Sequence, residues 1–255
     1  MHRYTDGVFG IKTYQTEKEY DVRKRLAELL RNSPIPDDQL LNNIQLYINS
    51  KQTARMLFMQ HIYKLSLPIM GVIMEFGTRW GPNAAQFAAL RGVFEPFNRH
   101  RTIVAFDTFS GFEELSPEDG DSDMMTRGHL ALPENYESYL DNVLSAIEGD
   151  NPLSHIKKFS IIKGDATKTL PEYLERNNHT IVSLAYFDFD VYEPTKACLE
   201  AIKPRLVKGS VVAFDEACDP DSPGETVALA EVFGLSNIRL ERLPFCSRTS
   251  FFVVD

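Results

Sequence analysis

Beyond residue 70 the chain alternates short apolar runs with stretches whose apolar residues return every three or four positions. The runs at 72–76, 102–106, 159–162, 181–187 and 210–214 are brief and nearly unbroken, as expected of strands buried on both faces. Helical spacing fills 82–94, 166–174 and 193–202 between them. This alternation predicts right-handed βαβ units, and so a doubly wound α/β fold whose mostly parallel sheet is covered on both sides. The first 70 residues read differently. Tyr20, Val22, Leu26, Leu29 and Leu30 follow roughly helical spacing over 16–31, and Pro34 and Pro36 then break the chain. Further helices are predicted over 37–49 and 52–65, the last stopped by Pro68. The expected organisation is an N-terminal helical extension, 1–70, followed by one α/β domain, 71–255.

Two segments depart from regular alternation. The stretch at about 110–158 is long, acidic at its start, and carries a helix near 136–147. Insertions of that length in α/β domains commonly act as lids or substrate loops. At the other end, 238–243 and 249–254 read as adjacent strands joined by a turn through 244–247. An antiparallel hairpin closing a parallel sheet separates this chain from dinucleotide-binding domains that end in parallel strands.

Composition adds exclusions. At 255 residues and 43% apolar, the chain can bury a sizeable core without metal or disulfide staples. Its 27 Lys and Arg against 36 Asp and Glu give a net charge of −9, which argues against nucleic acid or an anionic membrane as partner. The excess is uneven: residues 1–70 hold ten basic and seven acidic side chains, whereas 106–125 holds seven acids and no base. That run reads mainly as a solvated loop apart from Asp107, and 215–225, with five acids, invites the same reading. Cys198, Cys218 and Cys246 form no C-x-x-C pair, which suits a reducing compartment. The opening MHRYTDGVFG lacks an apolar signal-like core, and LSLPIMGVIM is too short to span a bilayer, so a soluble cytoplasmic protein is expected.

The first strand of the α/β region runs into Glu75-Phe76-Gly77-Thr78-Arg79-Trp80-Gly81-Pro82. Glycines here allow a tight turn and close approach of a ligand, and Pro82 suits the first turn of a helix. A dinucleotide fingerprint needs a second glycine where Arg79 stands, which disfavours NAD. S-adenosylmethionine has no pyrophosphate and tolerates that loop. A turn serving strand-to-helix geometry alone is the plainer alternative. Asp107 ends the second strand, where an acid can accept both ribose hydroxyls of an adenosine. Gly164-Asp165-Ala166 follows the third strand; it suits an adenine contact or an ordinary helix N-cap at Asp165.

Carboxylates gather at the remaining strand ends. Asp188 and Asp190 lie two apart, and in extended chain such residues point the same way. Asp215 and Glu216 end the fifth strand. If these strands are neighbours, four carboxylates meet beside the glycine loop and repel unless a cation neutralises them. Oxygen donors alone suit Mg²⁺, Ca²⁺ or Mn²⁺. Capping acids at loop starts are the competing reading. The six histidines show no ligand spacing, and His129 falls in the insertion.

These motifs together, with Phe106-Asp107-Thr108-Phe109-Ser110-Gly111-Phe112, Asp188-Phe189-Asp190-Val191-Tyr192-Glu193 and Val212-Ala213-Phe214-Asp215-Glu216, resemble the macrocin O-methyltransferase family. The resemblance spans about 40–255. It implies the class I S-adenosylmethionine-dependent methyltransferase fold and transfer of a methyl group to a hydroxyl of a deoxysugar. The acceptor implied is a dTDP-rhamnose-type sugar or its glycoside in natural-product (enediyne antibiotic) biosynthesis. Carried onto this sequence, the family pattern implies Glu75, Gly77, Thr78, Gly81, Asp107, Thr108, Asp165, Ala166 and Asp188 for the cofactor. It also implies Asp188, Asp215 and Glu216 as ligands of Mg²⁺ or another divalent cation, and Asp190 as general base. Relatives often carry aspartate where Glu216 stands. The N-terminal helices and the insertion are implied as lids, and a homo-oligomer, dimer or larger, is implied as the assembly. The competing functions are a catechol-type O-methyltransferase, a non-catalytic S-adenosylmethionine or nucleotide-binding module and, third, an NAD oxidoreductase.

Overall fold

The computed structural model describes residues 15–255, together with the backbone of two short paired strands, β1 (Arg3–Tyr4) and β2 (Lys12–Thr13). The opening MHRYTDGVFG, read above as lacking a signal-like apolar core, lies largely outside the described residues. The chain divides into two compact units, 1–57 and 58–255. In the first, α1 (Glu17–Arg31) opens on a reciprocal cap: the Thr16 hydroxyl accepts from the Glu19 amide and the Glu19 carboxylate accepts from Thr16 N. The helix expected over 37–49 is one turn of α2 (Asp37–Leu40) running on as a 3₁₀ segment, Leu41–Tyr47. Two asparagines follow one another there, and their polar side chains compete with the helical ladder: Asn43 Nδ2 donates back to the Gln39 carbonyl. Helix α3 (Ser50–Ser66) crosses the boundary and buries Phe58, Met59, Ile62 and Tyr63 in the second unit.

The second unit is built on a six-stranded sheet. Its strands are β3 (Val72–Phe76), β4 (Ile103–Asp107), β5 (Phe159–Lys163), β6 (Val182–Phe187), β7 (Leu206–Phe214) and β8 (Ser250–Val253). Their order is β5-β4-β3-β6-β7-β8, parallel except for β7 with β8. Both faces are apolar, and strand parity sorts them. Ile73, Ala105, Leu184, Tyr186, Val211 and Ala213 pack towards α3, α4 (Pro82–Phe94) and α5 (Tyr136–Asp150). Met74, Val104, Ala185 and Val212 pack towards α6 (Ala166–Arg176), α7 (Tyr192–Ile202) and α8 (Gly224–Phe233). On that second face Phe106, Phe76, Phe187 and Phe214 stand in register on adjacent strands, with ring centroids 5.2, 4.6 and 5.4 Å apart. This aromatic row floors the carboxyl edge of the sheet.

The expected doubly wound fold is present, with a smaller ending than the pattern predicted. Residues 238–243 form no strand; a single bridge, Glu241 with Phe251, is all that joins them to β8. The antiparallel partner of β8 is β7 itself. Arg239 and Glu241 alternate with Ile238 and Leu240 here, but Leu240 is exposed along with both charged residues, so alternation alone mimicked a strand. No helix among the described residues is long and apolar enough to cross a membrane.

Candidate active site

The sheet order reverses between β3 and β6, and ligands of open α/β sheets bind beyond the carboxyl ends at such a point. Gly77 leaves β3 at φ +88°, and a Cβ there would fall 2.0 Å from the Asp188 carbonyl oxygen. Only glycine lets the loop run so close to the chain leaving β6. Gly81, at φ +79°, precedes Pro82 at the start of α4. Between them Arg79 adopts φ +49°, which aims its amide at Asp107 Oδ2, 2.6 Å away. Phe109 N donates to the other oxygen at 2.6 Å. Asp107 is thus clamped by two backbone amides, with a lone pair left on each oxygen for a hydroxyl donor. Burial raises its pKa above the usual aspartate value, although both amides act to lower it.

Thr78 is buried, and its hydroxyl has no hydrogen-bond partner among the described residues; the same holds for Arg79 Nε. Unmet polar atoms beside a glycine turn and a nucleoside-type acid fit a small polar ligand such as S-adenosylmethionine. Thr108 turns its hydroxyl to the Gly111 carbonyl and accepts from Ser110 N, shaping the exit from β4. Asp165 caps α6, accepting from Thr167 N at 3.0 Å and pairing with Lys168 at 2.8 Å. Burial would raise its pKa, but Lys168 and Thr167 outweigh that and lower it. The N-cap reading of Asp165 therefore holds, with Ala166 as the first residue of the helix. Glu75 is fully buried at the end of β3.

Asp188 and Asp190 do come near each other, but not by strand parity. β6 ends at Phe187, and Asp190 sits in the left-handed region at φ +64°, tolerable for aspartate and uncommon otherwise. Glu225, in the first turn of α8, holds this turn: its Oε1 accepts from Phe189 N at 2.9 Å and Asp190 N at 3.3 Å. Burial pushes the Glu225 carboxyl up to about 8, helped by Glu216 and Asp215. Asp190 is raised well above the usual aspartate value, first by burial and then by Glu216, Asp188 and Glu225. Asp215 accepts the Tyr186 hydroxyl at 2.6 Å. Glu216 is buried; its Oε1 pairs with Arg248 at 2.6 Å and its Oε2 accepts the Ser222 hydroxyl.

Arg79, Glu225, Ser222 and Arg248 bear on this cluster without having been singled out for it. Arg79 faces Asp188, Asp190 and Asp107, while burial acts to lower its pKa. Glu225 fell in the acidic run 215–225 that reads as a solvated loop, and Arg248 lies 32 residues beyond Glu216 in the chain, so neither carried a local signal. The acidic run 106–125 is also not wholly solvated: Asp119 is buried and accepts from Tyr192 N at 2.6 Å. His129 stays within the insertion, its Nδ1 2.9 Å from the Met124 carbonyl.

Oxygen donors of this kind suit a hard cation, but their placement does not assemble one site. Among the described residues no group of three His, Cys, Asp or Glu is placed to hold a metal ion. Glu216 has both oxygens occupied, and one Asp215 oxygen is taken by Tyr186. As arranged, Asp188, Asp215 and Glu216 do not fit a resident divalent ion.

A parallel sheet with an antiparallel last strand, carrying its adenosine-type acid at the end of β4 beside the glycine turn that leaves β3, is the class I methyltransferase fold. No family model and no curated protein sequence matches the chain. Solved structures do. The chain resembles CalS11, a calicheamicin methyltransferase, at 43% identity over 94% of both chains with a TM-score of 0.92. It resembles apo CalS11, described as a TDP-rhamnose 3'-O-methyltransferase of calicheamicin biosynthesis, at 41% identity over 94% of this chain and 96% of that one, with a TM-score of 0.84. The O-methyltransferase NovP shares the fold, at 16% identity over 79% of both chains and a TM-score of 0.57. The chain belongs to the methyltransferase family of CalS11, and the resemblance carried by its motifs is borne out. It is an S-adenosylmethionine-dependent O-methyltransferase.

Proposed function

We propose that the protein methylates one hydroxyl of a deoxysugar, a dTDP-rhamnose-type nucleotide sugar or its glycoside, in enediyne-type natural-product biosynthesis. The full-length likeness to CalS11, 43% identical over 94% of each chain, carries this reading. S-adenosylmethionine, when bound, supplies the methyl group as an electrophilic sulfonium carbon. The chain's own residues do the rest. Gly77 and Gly81 let the backbone approach the ligand, Asp107 accepts ribose hydroxyls beside its two amides, and Asp165 with Ala166 borders the adenine. Glu75, Thr78, Thr108 and Asp188 complete that surround.

Asp190 removes the proton of the acceptor hydroxyl as its oxygen takes up the methyl group. An unperturbed aspartate, near about 3.9, is a weak base for an alcohol. Burial and the neighbouring carboxyls raise Asp190 above that and make it a stronger one. Because the base must be ionised, turnover should climb with pH as Asp190 loses its proton. Mg²⁺ or another divalent ion on Asp188, Asp215 and Glu216 takes no part in these steps, because Arg248 and Ser222 already hold both Glu216 oxygens. A homo-oligomer with the 1–70 helices and the 110–158 insertion as lids is part of the same proposal, supported by the exposed Val22, Leu29, Leu41 and Leu46 of the N-terminal unit.

The test is transfer of labelled methyl to dTDP-rhamnose, set against a panel of catechols. Methylation of the sugar alone is expected; methylation confined to catechols would overturn the acceptor. In Asp190→Asn, turnover should fall by roughly 10²–10⁴ with cofactor affinity unchanged. Full turnover in that variant would remove Asp190 from its role.

A further inference from the structure

Asp190 lies on a loop without regular structure, so the backbone groups around it need partners from other parts of the chain. Carboxylates from two elements supply them. Glu225 Oε1 takes the amides of Phe189 and Asp190 at 2.9 and 3.3 Å, and Asp119 Oδ1 takes that of Tyr192 at 2.6 Å. The Thr195 hydroxyl donates to the Val191 carbonyl at 2.6 Å. Of these contacts, only that of Glu225 reaches the amide of Asp190 itself, the residue held at φ +64°. The start of α8 is pressed onto the loop to make this reach: a Cβ on Gly224 would fall 2.6 Å from Tyr192 N and 3.0 Å from the Val191 carbonyl carbon. For stability alone Glu225 is a poor choice. It is fully buried, its Oε2 has no hydrogen-bond partner among the described residues, and Glu216 and Asp215 repel its charge. An unmet buried oxygen and an acid set among acids both cost free energy, a cost often kept where strained backbone serves a site.

We propose that Glu225 is the positioning residue for Asp190: by accepting two successive amides, its Oε1 holds the left-handed turn that presents the Asp190 carboxyl to the acceptor hydroxyl. The inference deepens the functional reading above and rests on Asp190 as its base. Glu225 acts through Asp190 and not on the acceptor. The reach of its oxygen is the working feature, and its charge is not. Without that oxygen Asp190 relaxes towards negative φ, the ordinary preference of an L-residue, and its carboxyl swings off line. A misplacement of about 1 Å at a reacting group can cost roughly 10²-fold in rate.

Two variants separate reach from charge. Glu225→Asp keeps the acid but is one methylene too short for both amides, whereas Glu225→Gln keeps an oxygen at the same reach without the charge. On the plateau of the pH profile, kcat of Glu225→Asp should fall roughly 10²-fold, with acceptor KM and S-adenosylmethionine affinity nearly unchanged. The conservative Glu225→Gln should rescue kcat to within about threefold of the parent. In an Asp190→Asn background, Glu225→Asp should change kcat by less than about threefold, because the group it positions is already lost. A slow Glu225→Gln, or a Glu225→Asp at the parental rate, overturns the positioning role. A further loss of the same size in the Asp190→Asn background overturns it too, and leaves Asp190 as the base. Full turnover in Asp190→Asn alone removes the base reading and this inference with it.

Discussion

At the scale of single residues, the site depends on backbone angles that side chains other than the native ones resist. Gly77 combines φ +88° with a Cβ position 2.0 Å from a carbonyl oxygen. Gly77→Ala cannot be absorbed by a flexible neighbour, because the obstacle is main chain of the β6 exit. We expect a loss of about 2–4 kcal/mol from strain and displaced backbone, read as a lower Tm, together with weakened S-adenosylmethionine binding in a titration. A variant as stable and as tight as the parent would show that the loop does not need this approach. Asp190 is the complementary case. Its place after a strand and its acidity were legible in the sequence, but its left-handed φ was not, because that angle is imposed by Glu225 from α8. A contact made 35 residues away leaves no mark on local periodicity.

Among the elements, the insertion shows how an acidic run can be misread as solvent-facing. Asp119 accepts from Ser116 N and the Ser116 hydroxyl through one oxygen and from Tyr192 N through the other, so it pins the insertion to the first turn of α7. Gly224, at the start of α8, leaves the room: a Cβ there would lie 2.5 Å from Asp119 Oδ1. Replacing Asp119 by Ala leaves the Tyr192 amide unmet, at a cost of about 1–3 kcal/mol. Limited proteolysis within 113–135 should then run several-fold faster, and the KM for the acceptor should rise while cofactor affinity holds. Unchanged cleavage would show the insertion to be fastened elsewhere. The strands and helices from β3 to β7 were readable because burial on both faces writes itself as unbroken apolar runs. Residues 238–243 were not, since alternation reports a half-buried position without saying whether a partner strand stands beside it.

For the molecule as a whole, the end of the sheet opposite the site is tied by buried charge. Arg101, 2% exposed at its side chain, pairs with Glu95 at 2.9 Å and also donates to Gly71 O and Ser183 Oγ. Arg91 and Lys158 share Glu148 in the same way. Burial acts to raise the Glu95 carboxyl, but hydrogen bonds from Arg101, Tyr63 and Asn98 outweigh it and hold the value below the ordinary one. A carboxylate lowered in the folded state stabilises fully above its unfolded pKa of about 4.3 and loses that contribution as pH falls through the lower folded value. Glu95→Gln should therefore cost on the order of 3 kcal/mol at neutral pH, and progressively less below about pH 4. Parallel Tm–pH curves for parent and variant would contradict this. The antiparallel final strand has a consequence for the order of construction. β8 follows every other element in the chain, and Arg248 arrives with it. During synthesis the remaining five strands can pair while Glu216 still lacks its guanidinium, and β7 still presents an open edge. The last pairing thus caps the sheet and neutralises the acids in one event, so a nascent chain stalled before residue 248 would carry both an aggregation-prone edge and an uncompensated charge.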